Sequence, residues 1–325
     1  MPLLRAFQPL RIAALAVATA VAAAPALADY PERPVNVINT WAPGGPSDAI
    51  IRPILEKFGD KFGQPFVLEN KSGANGSIGS DYVARAPKTG YVLLFANVGP
   101  IAISPSLPDK PRYDSLRDFQ PIGQIVSAGA ALVVAPNFPA NNLKEFIEYA
   151  RKNPDKISYG SVGNGSSTHI AGATLASQAG VKMVHVPYRG SAQIQVDIMG
   201  GQIQAAFVNL GGALELIRAG KLKALAVSTK ERSQVMPDLQ PVAEVIPGFD
   251  FNFWYGLMAP AGTPPEVVAK LSAGLKEVME MPDIRKRMLD AGLDPQWSTP
   301  AAYGQKIQND IGVWKKALDS ANITW

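Results

Sequence analysis

Short β-rich segments alternate with helical segments along almost the whole chain, and this alternation restricts the possible folds more than any other feature. The first cycle contains strands at 35–41, 65–70 and 91–97, joined by helices at 47–62 and 77–86. Strands connected through helices usually run parallel, because the crossover returns the chain to the end of the sheet where it started. The sequence therefore predicts an α/β fold, with a parallel sheet and helices on its faces.

The alternation resumes after a proline- and serine-rich loop at 99–113. Two strands are predicted next, at 121–126 and 130–135. The later segments are helix 143–152, strand 157–161, helix 168–179, strand 183–188, helix 192–199, strand 204–208, helix 213–219, strands 222–228 and 254–259, and helices 265–281, 283–291 and 300–320. Breaks near 127–129 and 248–253 separate two α/β units. We therefore predict domain 1 from residues 29–128 plus 250–325, and domain 2 from residues 129–249.

The first 28 residues have the pattern of a cleaved export signal. Arg5 and Arg11 give a positive start, an alanine-dominated apolar run follows at 12–27, and small residues at its end match what a signal peptidase reads. A membrane anchor is the alternative, but the run is short for a membrane span and Pro25 interrupts it. We expect residues 1–28 to be removed and the mature chain to be periplasmic.

The composition excludes several chemistries. The chain has no cysteine, so disulfides, thiolate metal sites and cysteine nucleophiles are ruled out. Its 31 Lys and Arg residues nearly balance its 27 Asp and Glu residues, without a basic run, so nucleic-acid binding is not expected. The two histidines lack the spacing of a metal site. We predict neither a metal nor a cofactor.

Two glycine-rich turns lie where a predicted strand ends and a helix begins. The first reads Trp-Ala-Pro-Gly-Gly-Pro-Ser-Asp at 41–48, and the second reads Gly-Asn-Gly-Ser-Ser-Thr-His at 163–169. The first N–H groups of a helix have no intrahelical partner, and the helix dipole adds a positive potential, so both places favour an anion. Either turn alone could simply be a capped helix start. One such turn in each unit predicts a shared anion-binding cleft.

The sharper motifs that such turns can carry are missing. A dinucleotide fingerprint requires a third glycine where this chain has Thr168, and neither turn has the lysine of a phosphate-binding P-loop. The G-x-S-x-G elbow of a hydrolase does not occur. A carboxylate is therefore the anion we expect. An exported hydrolase that uses Ser166 or Ser167 with His169 or His185 remains an alternative, because triads assemble from distant residues.

Further candidates follow other predicted strands. Tyr188 can offer a ring face and a hydroxyl, and the adjacent Arg189 could pair with a carboxylate. Asn75 and Asn97 stand where loops of the first unit reach the cleft, and Asn209 does so from the second unit. His169 is expected to be a ligand or a cap, His185 a hydrogen-bonded strand residue, and Trp254 a core or hinge residue.

An ordered set of segments identifies a family. The chain contains APGGPSD, VLENKSGANGSIGSDYVARA, SYGSVGNGSSTHIAG, VHVPYRG, GGQIQAAF, AGKLKALAVS and WYGLMAPAGTP in this order. On these segments the chain resembles the periplasmic solute-binding proteins of tripartite tricarboxylate transporters, often called the Bug family, and the resemblance runs over essentially the whole mature chain.

The resemblance implies a type II periplasmic binding protein fold, with two α/β domains and a ligand cleft between them. It implies a monomeric, non-enzymatic receptor that captures a small organic carboxylate and delivers it to subunits of an inner-membrane transporter. A sensor that docks on a signalling partner would share the same cleft. In the family the loops at 43–48 and 165–169 act as pincers on the ligand, partly through water. The predicted ligand-binding residues are Pro43, Gly44, Gly45, Ser47, Asp48, Asn75, Asn97, Gly165, Ser166, Thr168, His169, Tyr188, Arg189, Gly190 and Asn209.

Two departures from the family pattern bear on the ligand. Pro53 lies inside the helix after the first turn and could shift that turn. Val208 stands where the family commonly has Asp. If this position faces the cleft, an acidic contact is lost, which argues against an amino-acid ligand whose ammonium group needs a partner.

Overall fold

The computed structural model of the chain describes residues 30–44 and 46–320. The predicted export signal at 1–28 and the site residue Gly45 lie outside the described residues. Within these bounds, no helix is both long enough and apolar enough to cross a membrane.

The elements follow the predicted alternation closely. The strands are β1 (Val35–Asn39), β2 (Phe66–Asn70), β3 (Val92–Asn97), β4 (Phe119–Val134), β5 (Ser158–Ser161), β6 (Val184–Pro187), β7 (Ala205–Asn209), β8 (Lys223–Val227), β9 (Asn252–Pro260) and β10 (Asp294–Pro295). The α-helices are α1 (Pro46–Phe62), α2 (Ser77–Ala84), α3 (Leu143–Lys152), α4 (Ser167–Ala179), α5 (Ser191–Met199), α6 (Leu210–Arg218), α7 (Pro265–Glu280), α8 (Pro282–Asp290) and α9 (Pro300–Ser320). Helix α1 continues through Pro53.

All the strands belong to one mixed sheet. Its order is β2-β1-β3-β9-β4-β7-β5-β6, and β8 and β10 each pair with β4. Strand β1 is parallel to β2 and β3, and β5 is parallel to β6 and β7, as βαβ connections require. Strands β4 and β9 run antiparallel to each other, and β9 and β4 run antiparallel to β3 and β7 respectively. The α/β class is confirmed, but the sheet is mixed rather than wholly parallel.

Strand β4 corrects one sequence prediction. The two strands predicted at 121–126 and 130–135 are a single strand of 16 residues. The segment Ser127–Gly129, predicted as a break, is paired with Asn252–Trp254 of β9. Small residues suggested a linker, but here they allow close packing: a Cβ on Gly129 would lie 2.5 Å from a methyl group of Val227.

The parallel strands carry the candidate site at their carboxyl ends. Strands β1, β2 and β3 each end in an asparagine, at positions 39, 70 and 97. On the other side of the β4–β9 pair, β5, β6 and β7 end at Ser161, Pro187 and Asn209. Helices α1 and α4 begin a few residues beyond β1 and β5, so their first turns lie at the sheet's carboxyl edges.

The core consists of two apolar clusters. The larger one includes Phe58, Trp254 and Trp314, and the smaller one includes Ile198 and Val208. Trp254 is fully buried on β9, and its indole Nε1–H donates to Asp310 Oδ2 of α9 at 2.6 Å. Trp254 is therefore a core residue, as expected.

Two glycines bring the start of α6 against the loop after α8. A Cβ on Gly211 would lie 2.1 Å from the carbonyl oxygen of Ala291, and one on Gly292 would lie 2.2 Å from the Cα of Gly211. Real Cβ atoms do not approach so closely, so this contact requires glycine at both positions. The neighbouring Gly212 has open space around it.

Candidate ligand-binding site

The first glycine loop is organised by the carboxylate of Asp48. Its Oδ1 accepts from the side-chain amides of Asn39 at 2.7 Å and Asn70 at 2.9 Å. Its Oδ2 accepts from the backbone N–H of Gly44 and from the Arg52 guanidinium, both at 3.0 Å. Burial alone would raise the pKa of Asp48, but these hydrogen bonds outweigh burial and lower the pKa to about 2. Asp48 therefore shapes the loop, because protein donors already take both of its oxygens.

Unlike the oxygens of Asp48, the backbone N–H groups at the start of α1 have no partner among the described residues. The buried Ser47 hydroxyl accepts from Asn39 at 2.9 Å, which fixes the first turn of the helix. Among the described residues, no acceptor takes the backbone N–H of Ser47 or Asp48. Gly44 has a φ of 79°, a left-handed conformation that favours glycine, and both it and Pro43 are exposed. The free N–H groups thus belong to two buried residues that directly follow an exposed turn.

Asn97 is the last residue of β3, and Asn75 lies in the turn after β2. The amide of Asn97 donates to Thr40 Oγ1 at 2.9 Å and accepts from the Gly99 N–H at 3.3 Å. Asn75 is exposed in a left-handed turn, with a φ of 52°, and donates to Ser104 Oγ at 3.3 Å. Asn97 is thus a buried brace for the strand ends, whereas Asn75 remains at the surface.

The second glycine loop uses most of its own N–H groups. Four of them donate within the loop: Val162 to Thr168 Oγ1 (3.2 Å), Gly163 to Ser161 Oγ (3.1 Å), Gly165 to His169 Nδ1 (3.1 Å) and Ser166 to the Gly163 carbonyl (3.2 Å). The hydroxyl of Ser166 caps α4 by accepting from the His169 N–H at 3.3 Å. Among the described residues, the N–H groups of Ser167 and Thr168 have no acceptor. These two groups, rather than the Gly165 N–H, are available to an anion.

The imidazole rings of His169 and His185 pack together and hold this loop. The rings of His169 and His185 stack with their centroids 3.7 Å apart and their planes 7° apart. His185 Nε2 lies 2.6 Å from Ser161 Oγ, and Tyr159 packs beside both rings. Burial lowers the pKa of both imidazoles, and for His169 burial together with the neighbouring His185 lowers the pKa to about 4. Both rings are therefore neutral at neutral pH.

The third predicted segment begins at the end of β6. The Tyr188 hydroxyl donates to Asp197 Oδ2 at 2.7 Å, and burial followed by this carboxylate raises the pKa of Tyr188 to about 12. Its backbone N–H donates to the Ser161 carbonyl at 2.8 Å, which ties the segment to the second loop. Arg189 is exposed and forms no ion pair with any described residue. Gly190 is the residue before α5.

The last two residues of β7, Val208 and Asn209, differ in burial. Asn209 is exposed at the end of the strand, directly before α6. Val208 is 1% exposed and lies in the smaller apolar cluster. Val208 therefore packs in the core, so the condition under which this position would argue against an amino-acid ligand is not met.

The described residues contain no assembled hydrolase site around the predicted serines. The Ser166 hydroxyl meets the His169 backbone and Thr168 Oγ1, and no described hydrogen bond links Ser166 or Ser167 to an imidazole. The serine that does meet a histidine ring, Ser161, is fully buried. Nor does this part of the chain hold a group of three side chains suited to a metal.

Asn39, Asn70 and Ser161 organise the loops, although the sequence patterns do not single them out. Each is the last residue of a strand in a parallel set. A polar residue at that position was the available signal, since ligand sites of open α/β sheets lie at the carboxyl ends of strands.

Solved structures share this fold over nearly the full chain. The periplasmic binding protein BugD is 35% identical, with 90% of this chain and 99% of that chain covered and a TM-score of 0.75. A Rhodopseudomonas palustris protein solved with adipate is 29% identical, with 91% and 99% covered and a TM-score of 0.79. MatC from Rhodopseudomonas palustris, with bound malate, is 30% identical, with 89% and 100% covered and a TM-score of 0.75. The fold and the two loops thus define a solute-binding receptor of the periplasmic binding protein class.

The family follows from a second comparison. The model described as "Tripartite tricarboxylate transporter family receptor" matches residues 50–323. The chain belongs to this family of solute-binding receptors. The predicted type II periplasmic binding protein fold and the similarity to Bug proteins are both confirmed.

Proposed function

We propose that this protein is an exported periplasmic receptor that captures a small organic carboxylate and delivers it to a tripartite tricarboxylate-type membrane transporter. The ligand binds between domain 1 (29–128 plus 250–325) and domain 2 (129–249), and no reaction takes place. One observation carries the proposal: each half of the sheet presents a helix start whose first N–H groups have no acceptor among the described residues, while the buried side chains of Asn39 and His169 hold the loops around them.

The two helix starts suit a carboxylate. The N–H groups of Ser47 and Asp48 at α1, and of Ser167 and Thr168 at α4, bind carboxylate oxygens directly or through water. The dipoles of α1 and α4 add a positive potential at both places. A hydrogen bond to a charged partner contributes about 1.5–3 kcal/mol, so the four N–H groups together contribute about 6–12 kcal/mol toward the cost of immobilising the ligand, which is about 4–15 kcal/mol.

The pocket is completed by residues around these donors. The ring of Tyr188 forms a wall, and Arg189, which is exposed and unpaired among the described residues, is a counter-charge for a second acidic group. Asn75, in the turn after β2, and Asn209, at the end of β7, are exposed and add side-chain hydrogen bonds. A ligand that touches both domains stabilises their closed arrangement, which the transporter recognises.

Two relatives were solved with dicarboxylates, adipate and malate. Dicarboxylates are therefore the first ligands to test. A thermal-shift assay compares malate and adipate with their diamides, and a hundredfold excess of ligand over Kd stabilises the native state by about 2.7 kcal/mol. We expect a clear increase in Tm with an acid and none with its diamide. Equal shifts with acid and diamide would contradict carboxylate recognition.

A single substitution tests the donors themselves. Ser167 is the first residue of α4, a position where proline is tolerated, and Ser166 has an extended conformation (φ −68°, ψ 157°) that a following proline accepts. Ser167→Pro therefore removes one N–H donor with little cost to the fold. We expect at least tenfold weaker acid binding, in line with one charged hydrogen bond. Ser167→Ala, which keeps the N–H, is the matched control and should bind like the wild type.

A further inference from the structure

The stacked rings of His169 and His185 form hydrogen bonds that hold the second loop. Each ring holds the loop through one nitrogen: His169 Nδ1 accepts the Gly165 N–H at 3.1 Å, and His185 Nε2 meets Ser161 Oγ at 2.6 Å. His185 belongs to a different strand, β6, and is not adjacent in sequence to the loop that it supports.

The contacts of Ser161 determine where the protons lie. Its Oγ is 3.0 Å from the Gly163 carbonyl oxygen and 3.1 Å from the Gly163 nitrogen, in addition to the contact with His185. A hydroxyl has one hydrogen and two lone pairs. All three contacts are satisfied when Ser161 donates to the Gly163 carbonyl and accepts from both the Gly163 N–H and the His185 Nε2–H. His185 then carries its proton on Nε2.

His169 requires the same tautomer. Because its Nδ1 accepts from Gly165, the proton of the neutral ring lies on Nε2. Protonation of Nδ1 would place two donors against each other. The stacking partner His185 fixes the plane of the His169 ring, and Tyr159, which burial keeps neutral by raising its pKa, is the other titratable side chain in ring contact with the pair.

We propose that His185 is a positioning residue for ligand binding: by holding Ser161 and the ring of His169, it keeps the second loop in the conformation that leaves the N–H groups of Ser167 and Thr168 available. This inference rests on the proposed function. Without His185, the ring of His169 loses its stacking partner, and the Gly163 and Gly165 N–H groups lose their fixed acceptors. The loop then has several ways of pairing its donors.

The first test needs no ligand. Amide hydrogen exchange of the purified protein, read by NMR, compares the wild type with His185→Phe, which keeps an aromatic ring but cannot donate to Ser161. We expect the Gly163 amide to exchange roughly three- to tenfold faster, the effect of about one lost hydrogen bond, while the Gly165 amide stays protected because the Phe ring still stacks on His169. His185→Gln restores a donor without the stacking, so it should protect Gly163 but not Gly165.

A matched control separates positioning from general destabilisation. Thr174 is buried in α4, and its hydroxyl has no partner among the described residues, so Thr174→Val changes the same helix without touching the loop. It should leave the Gly163 and Gly165 amides unchanged. An unchanged Gly163 amide in His185→Phe, an unchanged Gly165 amide in His185→Gln, or a uniform increase across α4 and the sheet would overturn the proposal.

The second test uses malate and adipate as probes in isothermal titration. Where the wild type binds one of these acids, His185→Phe should bind it roughly tenfold more weakly, and Thr174→Val should bind it normally. Wild-type affinity in His185→Phe would overturn the positioning role. If the wild type binds neither acid, that result counts against the proposed dicarboxylate function, while the exchange experiment still decides the role of His185.

Discussion

The carboxylate of Asp48 provides a quantitative test of how the first loop is held. It accepts hydrogen bonds from Asn39, Asn70, Gly44 and Arg52. In Asp48→Asn, an NH₂ group must replace one oxygen, so a donor faces either the two asparagine amides or the Gly44–Arg52 pair. At least two hydrogen bonds are therefore lost.

The magnitude follows from the exposure of the partners. Hydrogen bonds to a charged group contribute about 1.5–3 kcal/mol each. Asp48 is nearly buried, with 6% of its side chain exposed, but the Arg52 side chain is 59% exposed, and an exposed ion pair contributes little. We expect Asp48→Asn to lower the free energy of unfolding by about 2–4 kcal/mol at neutral pH.

The lowered pKa of Asp48 also predicts how its contribution to stability changes with pH. An unfolded aspartate titrates near 4, whereas the pKa of Asp48 in the folded protein is about 2. A lowered pKa stabilises the protein above the unfolded value, and this stabilisation is lost as the pH falls through about 2. The shift corresponds to about 1–2 kcal/mol after screening by solvent at the loop surface. The difference between wild type and Asp48→Asn should therefore shrink below pH 4.

Urea unfolding of both proteins between pH 7 and pH 2.5 measures these quantities. Asp60→Asn is the matched control, because Asp60 is an exposed aspartate on the same helix. It should change the free energy of unfolding by less than about 0.5 kcal/mol. A loss no larger than that of the control at neutral pH, or a difference independent of pH, would refute the assigned role of Asp48.

Three further predictions test other parts of the structure. Gly211→Ala should destabilise the protein by about 1–3 kcal/mol in urea unfolding, because its Cβ meets the Ala291 carbonyl, whereas Gly212→Ala, with open space around it, should be neutral or stabilising. Because burial first and a neighbouring imidazole second lower the pKa of His169 to about 4, unfolding stability should fall between pH 6.5 and 4 by up to about 3 kcal/mol, and His169→Gln should flatten that slope. Removing the cap of α3 in Asn142→Ala should lower Tm through a loss of about 1 kcal/mol, and an unchanged Tm would contradict the capping.

The positions of the helices and strands were accessible from the sequence because they depend on local periodicity and caps. Helix α9, predicted at 300–320, has those bounds in the structure, since Pro300 starts it clearly. Strand β4 was not accessible in this way. Its central residues are small, and pairing with β9, joined by β10 at Ser127, makes Ser127–Gly129 part of a strand. Tertiary pairing of this kind leaves no local signature in a single sequence.

The site shows the same division. The two glycine turns were identified from helix starts, which are local features. Which N–H groups remain available was not predictable, because the acceptors that take the others come from side chains folded back onto the loop. Gly165 is the clearest case: it is a predicted ligand-binding residue, but its N–H donates to the imidazole of His169. Asn70 reaches Asp48 only because β2 lies beside β1 in register.

The unbroken course of β4 also affects how the protein can be divided or rebuilt. Its 16 residues pair with β9 along Phe119–Gly129 and with β7 along Ala130–Val134, so a cut between positions 128 and 129 would pass through a continuously paired strand. Expressing domain 1 or domain 2 alone, or exchanging one of them with that of a relative, would therefore leave strand edges without hydrogen-bond partners. Successful chimaeras of such receptors would have to exchange β4 and β9 as a pair, and melting should occur in a single transition.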